Sequence, residues 1–120
     1  MLETGVDIVE IERIASLAAR FGDRFGGRVY AAEEWHAFSR SPRSLAARFA
    51  AKEAVVKALG SSAMALHEIR VRRQPGERPS VELVGRARAR AEALGVRHIA
   101  LSLSHAQRYA VAFVVIERDP

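Results

Sequence analysis

Apolar and polar residues alternate along several short segments of the chain, and this period of two predicts strands. In the first of them, Val6 and Ile8 fall on one face, and Asp7 and Val9 fall on the other. The last of them contains a run that is apolar on both faces, which predicts a central strand covered on both sides. The predicted strands are Leu2–Val9, Ile69–Val71, Ser80–Val84, His98–Ser104 and Tyr109–Ile116.

Apolar residues three and four positions apart predict helices between these strands. Gly22, Gly26 and Gly27 predict an arginine-rich loop after the first helix. Ser44 is the expected N-cap of the longest helix, and Gly60 is its expected end. The predicted helices are Ile11–Phe21, Ala32–Phe38, Ser44–Leu59 and Gly85–Leu94. We therefore expect one α+β domain spanning residues 1–120, with a curved antiparallel sheet packed on the long central helix.

Composition excludes several classes of protein. The apolar fraction of 49% argues against disorder, and no apolar run approaches the roughly 18–20 residues of a membrane helix. The N-terminus lacks the basic and apolar regions of a signal peptide. Without cysteine the chain forms no disulfide and no thiolate metal site. We expect a cytoplasmic protein that does not bind membranes.

The charge is strongly basic, with a formal net charge of +5 and a sequence pI of about 10.7. Nucleic acids, phosphate-rich small molecules and acidic proteins are the partners that this charge favours, although it is also consistent with solubility alone. Only two of the 19 basic residues are lysines, Lys52 and Lys57, and both lie in the long helix. Because lysine and arginine are not interchangeable where a compact ammonium is needed, this helix is the first place to search for chemistry.

Charged residues border the apolar stripe of the long helix, which consists of Leu45, Phe49 and Val56. Arg48 and Lys52 are four residues apart, and two like charges at that spacing repel unless an anion joins them. A phosphate-bearing ligand would supply the anion. Glu53 and Lys57 have the same spacing; they form either part of a site or a surface pair worth about 0.2–0.5 kcal/mol.

Two further residues are candidates for a site. Asp7 lies in a predicted strand, where aspartate is rare, and with Glu53 it would form a carboxylate pair suited to magnesium. The alternative is that Asp7 caps the helix that begins near Ile11. His105 follows a predicted strand directly, and it either serves a site or caps a turn. No phosphate-binding glycine loop and no nucleophile elbow is present.

The chain resembles the holo-acyl-carrier-protein synthases, the small members of the phosphopantetheinyl transferase superfamily. Gly5–Ile14 (GVDIVEIERI) matches the N-terminal pattern of that family, G-[IV]-D-[IL]-x-x-[IV]-x-R-[IFV]. Arg48–Gly60 (RFAAKEAVVKALG) matches the highly specific R-[FW]-A-x-K-E-[AS]-x-x-K-A-[LFI]-G signature. Gly76–Pro79 (GERP) stands where the family has G-[KR]-P, and Ser102–Ala110 (SLSHAQRYA) matches S-[IL]-[ST]-H-x-x-x-[YF]-A.

This resemblance implies a magnesium-dependent enzyme with the fold of that superfamily. It would transfer the 4′-phosphopantetheine moiety of coenzyme A to a serine of an apo acyl carrier protein and release adenosine 3′,5′-bisphosphate. Asp7 and Glu53 would hold the magnesium ion, and Lys57 would stabilise or protonate the leaving group. The chemistry also requires an acceptor for the serine proton, and Glu53, directly or through a water, is the preferred base. The implied coenzyme A contacts are Arg48, Lys52, Gly60, Pro79, Ser104 and His105. The resemblance also implies a homotrimer with a site at each subunit boundary.

Carrier proteins of this kind are acidic, and the arginines of the first helix are the expected docking surface. Arg13 and Arg20 are seven residues apart and so share a helical face, and Arg24 follows shortly afterwards. The chain departs from the family at Ser61-Ser62-Ala63-Met64, where a Thr-Gly loop is usual. Two alternatives remain: a homologue that binds carrier protein or coenzyme A without catalysis, and a small nucleic-acid binder, which only the pI supports.

Overall fold

The computed structural model describes all residues, Met1–Pro120. Five strands and five α-helices alternate irregularly along the chain, with a short 3₁₀ turn at Leu66–Glu68. No helix is both long enough and apolar enough to cross a membrane. The elements are β1 (Leu2–Glu10), α1 (Ile11–Phe21), α2 (Asp23–Val29), α3 (Ala32–Phe38), α4 (Pro42–Leu59), β2 (Ile69–Arg72), β3 (Ser80–Leu83), α5 (Gly85–Leu94), β4 (Val96–His105) and β5 (Tyr109–Arg118).

The strands form two antiparallel sheets rather than the single one expected. The first has the order β1-β5-β4, so β5 is central as its apolar sequence predicted. The second is the hairpin of β2 and β3. The expected α+β class is confirmed by this mixture of helices and antiparallel strands.

Helix α4 is the centre of the core, and alanines let it approach the three-stranded sheet closely. Ala46, Ala50, Ala51 and Ala54 are all fully buried. Gly5 makes the closest approach: a Cβ on this residue would collide with the carbonyl oxygen of Ala54. Strand β1 therefore lies directly against the backbone of α4, and this contact sets the position of Asp7 two residues further along β1.

The prediction of an arginine-rich loop after α1 is wrong, because residues 23–29 form helix α2. Gly22 has φ +52° and separates α1 from α2. Gly26 is buried in α2, where a Cβ would collide with the indole ring of Trp35. The glycine at position 26 is thus a packing residue rather than a helix breaker.

The start of the long helix also differs from the prediction. Ser41 rather than Ser44 is the N-cap residue, and Pro42 opens the helix, where its missing N–H leaves no intrahelical bond unmade. Gly60 ends α4 in the left-handed conformation with φ +67°, as expected.

The outer face of the three-stranded sheet is uncovered within one chain, although the sequence predicted cover on both sides. Val6 on β1 is 54% exposed, and its cross-strand neighbour Phe113 on β5 is 45% exposed. Ile8 continues this apolar surface along β1. The face that packs on α4 is, by contrast, fully buried at Ala112 and Val114.

Candidate functional site

Asp7, Glu53 and Lys57 come together where β1 packs on α4. The Lys57 ammonium donates hydrogen bonds to the backbone oxygen of Val6, at 2.8 Å, and to Asp7 Oδ1, at 3.2 Å. Asp7 is half-buried, while the side chain of Lys57 remains 55% exposed. Asp7 does not cap α1, because no side chain bonds to the first turn of that helix. The first strand and the long helix thus supply one cluster of two acids and one lysine.

The pKa of Glu53 lies above its ordinary value. Burial is the largest cause, the negative charge of Asp7 adds to it, and Lys57 opposes both. Two carboxylates that repel each other at a partly open surface form a suitable site for a small divalent cation. Magnesium is the cation that such a pair suits, since that ion uses one or two carboxylates together with water and substrate phosphates.

A second, cationic cluster lines a pocket of about 390 Å³ between α4, the end of β2 and the end of β4. Leu103 forms part of its wall, and the polar side chains around it are those of Arg43, Ser44, Arg48, Arg73, Ser104 and His105. Three guanidinium groups and an imidazole around one pocket make it a natural site for an anion such as a phosphate.

Arg48 is the buried member of this cluster. Its guanidinium lies 3.8 Å from the centre of the Phe38 ring, and its Nε is buried without a hydrogen-bond partner. Burial lowers the pKa of Arg48, Glu34 opposes this effect, and Arg73 adds to it. A buried donor without an acceptor costs stability, so Arg48 sits in the pocket wall with an unsatisfied Nε.

Lys52 corrects the sequence-based prediction. We expected it to contact coenzyme A phosphates, but its side chain is 0% exposed and borders no open surface. Its ammonium donates to Glu34 Oε1, at 2.7 Å, and to the backbone oxygens of Leu66 and Ile69. The anion that resolves the repulsion between Arg48 and Lys52 is therefore Glu34 of α3, and Lys52 is part of the core.

The acidic and cationic clusters lie on opposite flanks of α4. Arg48 and Glu53 are five residues apart, which places them about 140° apart around the helix. Asp7 belongs to β1 at one edge of the three-stranded sheet, and Leu103 belongs to β4 at the other edge. Both pair with Ala112 of β5, so they are two strand spacings apart, or about 9–10 Å.

The other expected coenzyme contacts divide between these flanks. Gly60 lies at the C-terminus of α4, three residues beyond Lys57 and on the side of the acidic cluster. Ser104 and His105 line the cationic pocket. Pro79 lies in the connection between β2 and β3 but not in the wall of that pocket, which Arg73 from the same connection reaches instead.

The arginines expected to dock a partner are exposed on two helices. Arg13 and Arg20 project from α1, and Arg24 projects from α2. Arg24 also borders an apolar groove of about 230 Å³ with Leu17 and Phe21. The surface therefore combines positive charge with exposed apolar side chains.

Sequence reasoning did not identify Glu34, Phe38, Arg43 and Arg73. One signal was available in the sequence for Arg43. Arg43 is four residues before Ala47, and Ser44 is four residues before Arg48, so all four residues lie on the same side of α4. No local pattern connects Glu34 to Lys52, because the pair is 18 residues apart and meets only in the folded chain.

Nearly the whole chain matches known proteins in sequence and in fold. A family model described as the 4′-phosphopantetheinyl transferase superfamily matches residues 3–114. The chain is 47% identical to a holo-[acyl-carrier-protein] synthase of Dehalococcoides mccartyi, with 98% of this chain and 99% of that protein covered. It is 45% identical to the protein of the same name from Koribacter versatilis, with 98% of each covered. An ACPS–CoA complex from Chronobacterium ammoniagenes superposes with a TM-score of 0.86 at 31% identity, over 100% of this chain and 99% of that one.

Proposed function

Because this chain belongs to the 4′-phosphopantetheinyl transferase superfamily, we propose that it moves the 4′-phosphopantetheine arm of coenzyme A onto a serine of an apo acyl carrier protein. The observation that carries this proposal is the cluster of Asp7, Glu53 and Lys57, formed by the two segments that match the family patterns. Relatives named holo-[acyl-carrier-protein] synthase and a relative solved with coenzyme A support the choice of both substrates.

In the proposed reaction the serine oxygen bonds to the β-phosphorus of coenzyme A, and the bond from that phosphorus to the bridging oxygen breaks. Adenosine 3′,5′-bisphosphate leaves with the bonding electrons. Asp7 and Glu53 would hold a magnesium ion, which when bound neutralises charge on the phosphate oxygens. Lys57 would stabilise the leaving phosphate as a compact positive charge. Glu53 lies beside Asp7 and Lys57 and would accept the serine proton directly or through a water.

We assign the 3′-phosphate of coenzyme A to the cationic pocket. The two phosphates of the pyrophosphate share a bridging oxygen, so both must lie near the acidic cluster where the bond breaks. Within one chain, the pocket with Arg48 and His105 lies on the opposite flank of α4 from that cluster. The remaining phosphate of the substrate suits a pocket that presents three arginines.

The opposite placement of the two clusters supports a homotrimer with shared sites. Within one chain, helix α4 stands between the acidic cluster and the cationic pocket. The uncovered apolar face around Val6 and Phe113 gives a second copy a surface to bury. We propose that each site combines the acidic cluster of one subunit with the cationic pocket of its neighbour.

Mixed assemblies test the shared site. Glu53→Gln and Arg48→Ala are each expected to be inactive alone. Refolded together at equal amounts, they should recover about a quarter of the wild-type activity, because about three quarters of the trimers are then mixed and each mixed trimer has both groups intact at one of its three sites. Absence of recovery, with mixed trimers present by mass spectrometry, would show that both clusters of a site come from the same chain.

The transfer itself is tested by incubating an apo carrier protein with coenzyme A and magnesium and measuring its mass. One phosphopantetheine should be added, and a chelator or Glu53→Gln should abolish the addition while the fold is retained. Full activity in that variant would remove the assignment of Glu53. Binding of coenzyme A without any transfer by the wild-type protein would instead identify a non-catalytic homologue.

A further inference from the structure

Glu34 joins three elements beside the cationic pocket. It lies in the first turn of α3, and its carboxylate is almost completely buried. It accepts hydrogen bonds from the backbone N–H of Ala31, at 2.9 Å, from the backbone N–H of Val71 on β2, at 3.2 Å, and from the ammonium of Lys52 on α4. A carboxylate held by donors from three elements has a fixed position.

Each oxygen of the Glu34 carboxylate faces a different cation. Oε1 takes Lys52, whose ammonium is then satisfied together with two backbone oxygens. Oε2 lies 3.6 Å from Arg48 Nε, which is ion-pair distance but too long for a hydrogen bond. Two cations share one anion, and the uncompensated positive charge remains on Arg48, the member that lines the pocket.

Phe38 fixes the plane of the same guanidinium. It follows Glu34 by four residues on α3, so both side chains lie on one side of that helix. Its ring faces the guanidinium of Arg48 at 3.8 Å. The Glu34 carboxylate thus holds the Nε end of the Arg48 guanidinium, and the Phe38 ring covers its face. The other two nitrogens of the guanidinium are left for the pocket.

We propose that Glu34, assisted by Phe38, is a positioning residue for coenzyme recognition that acts through Arg48. Glu34 anchors the guanidinium at ion-pair distance without hydrogen-bonding to it, so that Arg48 is aimed at the pocket and still available to the 3′-phosphate of coenzyme A. The inference rests on the proposed function, because it takes the coenzyme from there. It adds a residue of α3 that never touches the substrate.

The test measures binding of coenzyme A and of 3′-dephospho-coenzyme A by calorimetry. Glu34→Gln and Phe38→Leu should each raise the Kd for coenzyme A about tenfold, while the Kd for the dephospho form stays at the wild-type value. In an Arg48→Met background, Glu34→Gln should have no further effect on coenzyme A binding, because the group it positions is gone. Glu33→Gln, which removes an exposed charge from the neighbouring position of α3, is the matched control and should change neither constant.

Because Glu34→Gln leaves Lys52 buried without its anion, the same titrations are made on Glu34→Gln/Lys52→Met, which removes both buried charges together. Equal weakening of both ligands would indicate general disruption and overturn the inference. So would unchanged coenzyme A binding in these variants, or a wild-type protein that binds both ligands equally well. Failure of the proposed function would be recognised in the transfer assay, because the wild-type protein would then transfer no phosphopantetheine at all.

Discussion

Lys52 and Lys57 lie five positions apart on one helix, yet their surroundings give them different tasks. Lys52 is fully buried among Glu34 and two backbone oxygens. Lys57 is half-exposed and contacts Asp7 at the opening of the acidic cluster. An ammonium in the core maintains the fold, and an ammonium at an open cluster is available to a substrate.

Replacement of Lys57 by alanine should lower kcat by about a hundredfold and change the KM for coenzyme A by less than about threefold, if the lysine acts mainly on the leaving phosphate. Steady-state kinetics with saturating carrier protein measures both constants. Lys57→Arg controls for charge alone, and it should recover only part of the rate because the guanidinium is a broader cation. A variant with normal kcat and a raised KM for coenzyme A would make Lys57 a ground-state contact.

For Lys52 we expect a loss of stability instead. Lys52→Ala should lower the free energy of unfolding by about 3–5 kcal/mol, because it leaves the buried carboxylate of Glu34 without its cation. Denaturant titration at fixed protein concentration measures the change. Lys57→Ala is the control, and it should cost less than about 1 kcal/mol because its ion pair is exposed. A stable Lys52→Ala protein that no longer bound coenzyme A would restore the expectation derived from the sequence.

Among the secondary-structure elements, the contact between β1 and α4 positions the acidic cluster. Gly5→Ala should lower the free energy of unfolding by about 1–3 kcal/mol, because the added Cβ pushes β1 away from α4. It should also reduce transfer activity, because the same shift moves Asp7 away from Glu53. Thermal denaturation and the transfer assay together measure both effects. Gly27→Ala on α2 is the control: nothing lies near its Cβ, so stability should stay the same or rise slightly.

Glu68 connects the 3₁₀ turn to α5, and its hydrogen bonds predict how the stability of the protein depends on pH. Its carboxylate accepts hydrogen bonds from the backbone N–H groups of Ala65 and Arg86, both at 2.7 Å. The Ala65 bond is the main cause that holds the pKa of Glu68 below its ordinary value, and the Arg86 bond contributes in the same direction, against the effect of burial. The carboxylate therefore adds stability above its unfolded pKa, and that stability is lost as the pH falls through the lower folded pKa.

We expect the stability difference between the wild-type protein and Glu68→Gln to be largest near neutral pH and to shrink as the pH falls below about 4. Urea denaturation at a series of pH values measures it. Glu77→Gln, at an exposed position of the β2–β3 connection, serves as the control. A difference that stayed constant down to pH 3 would show that the charge of Glu68 is unimportant.

At the scale of the whole molecule, we propose that the basic surface of α1 and α2 guides the approach of an acidic carrier protein. Arg13→Glu or Arg20→Glu should raise the KM for carrier protein about tenfold at low salt and leave coenzyme A binding unchanged, because both arginines are exposed and neither lines the cationic pocket. The wild-type KM should itself rise with salt, since exposed charges are screened beyond about 8–10 Å. Arg97→Glu, on β4, is a charge-matched control.

Unchanged carrier-protein kinetics in both α1 variants at low salt would place the docking surface elsewhere. The apolar groove described above, which Arg24 and Arg28 border, would then be the better candidate. That groove contains Phe21 and Leu17 as well, so an apolar contribution to docking would persist when salt weakens the charges.

Local patterns in the sequence determined the elements and the acidic cluster. The period of two at Leu2–Val9 and the helical spacing at Ile11–Phe21 gave both elements with nearly the observed bounds. Asp7 and Glu53 were paired first as an acid on a strand and an acid on a helix and then from the family patterns, and the folded chain does place them together. These features depend on neighbours close in sequence or on motifs that the family preserves.

The tertiary structure alone decided the surroundings of each charge. The spacing of Arg48 and Lys52 predicted a missing anion, but only the packing of α3 on α4 shows that the anion is Glu34 and that Lys52 is therefore buried. Gly26 is a helix breaker by local propensity, and it lies in a helix because the Trp35 ring packs on it. Local sequence sets backbone preference and the face on which a residue lies, whereas burial and ion pairing depend on atoms brought together from distant parts of the chain.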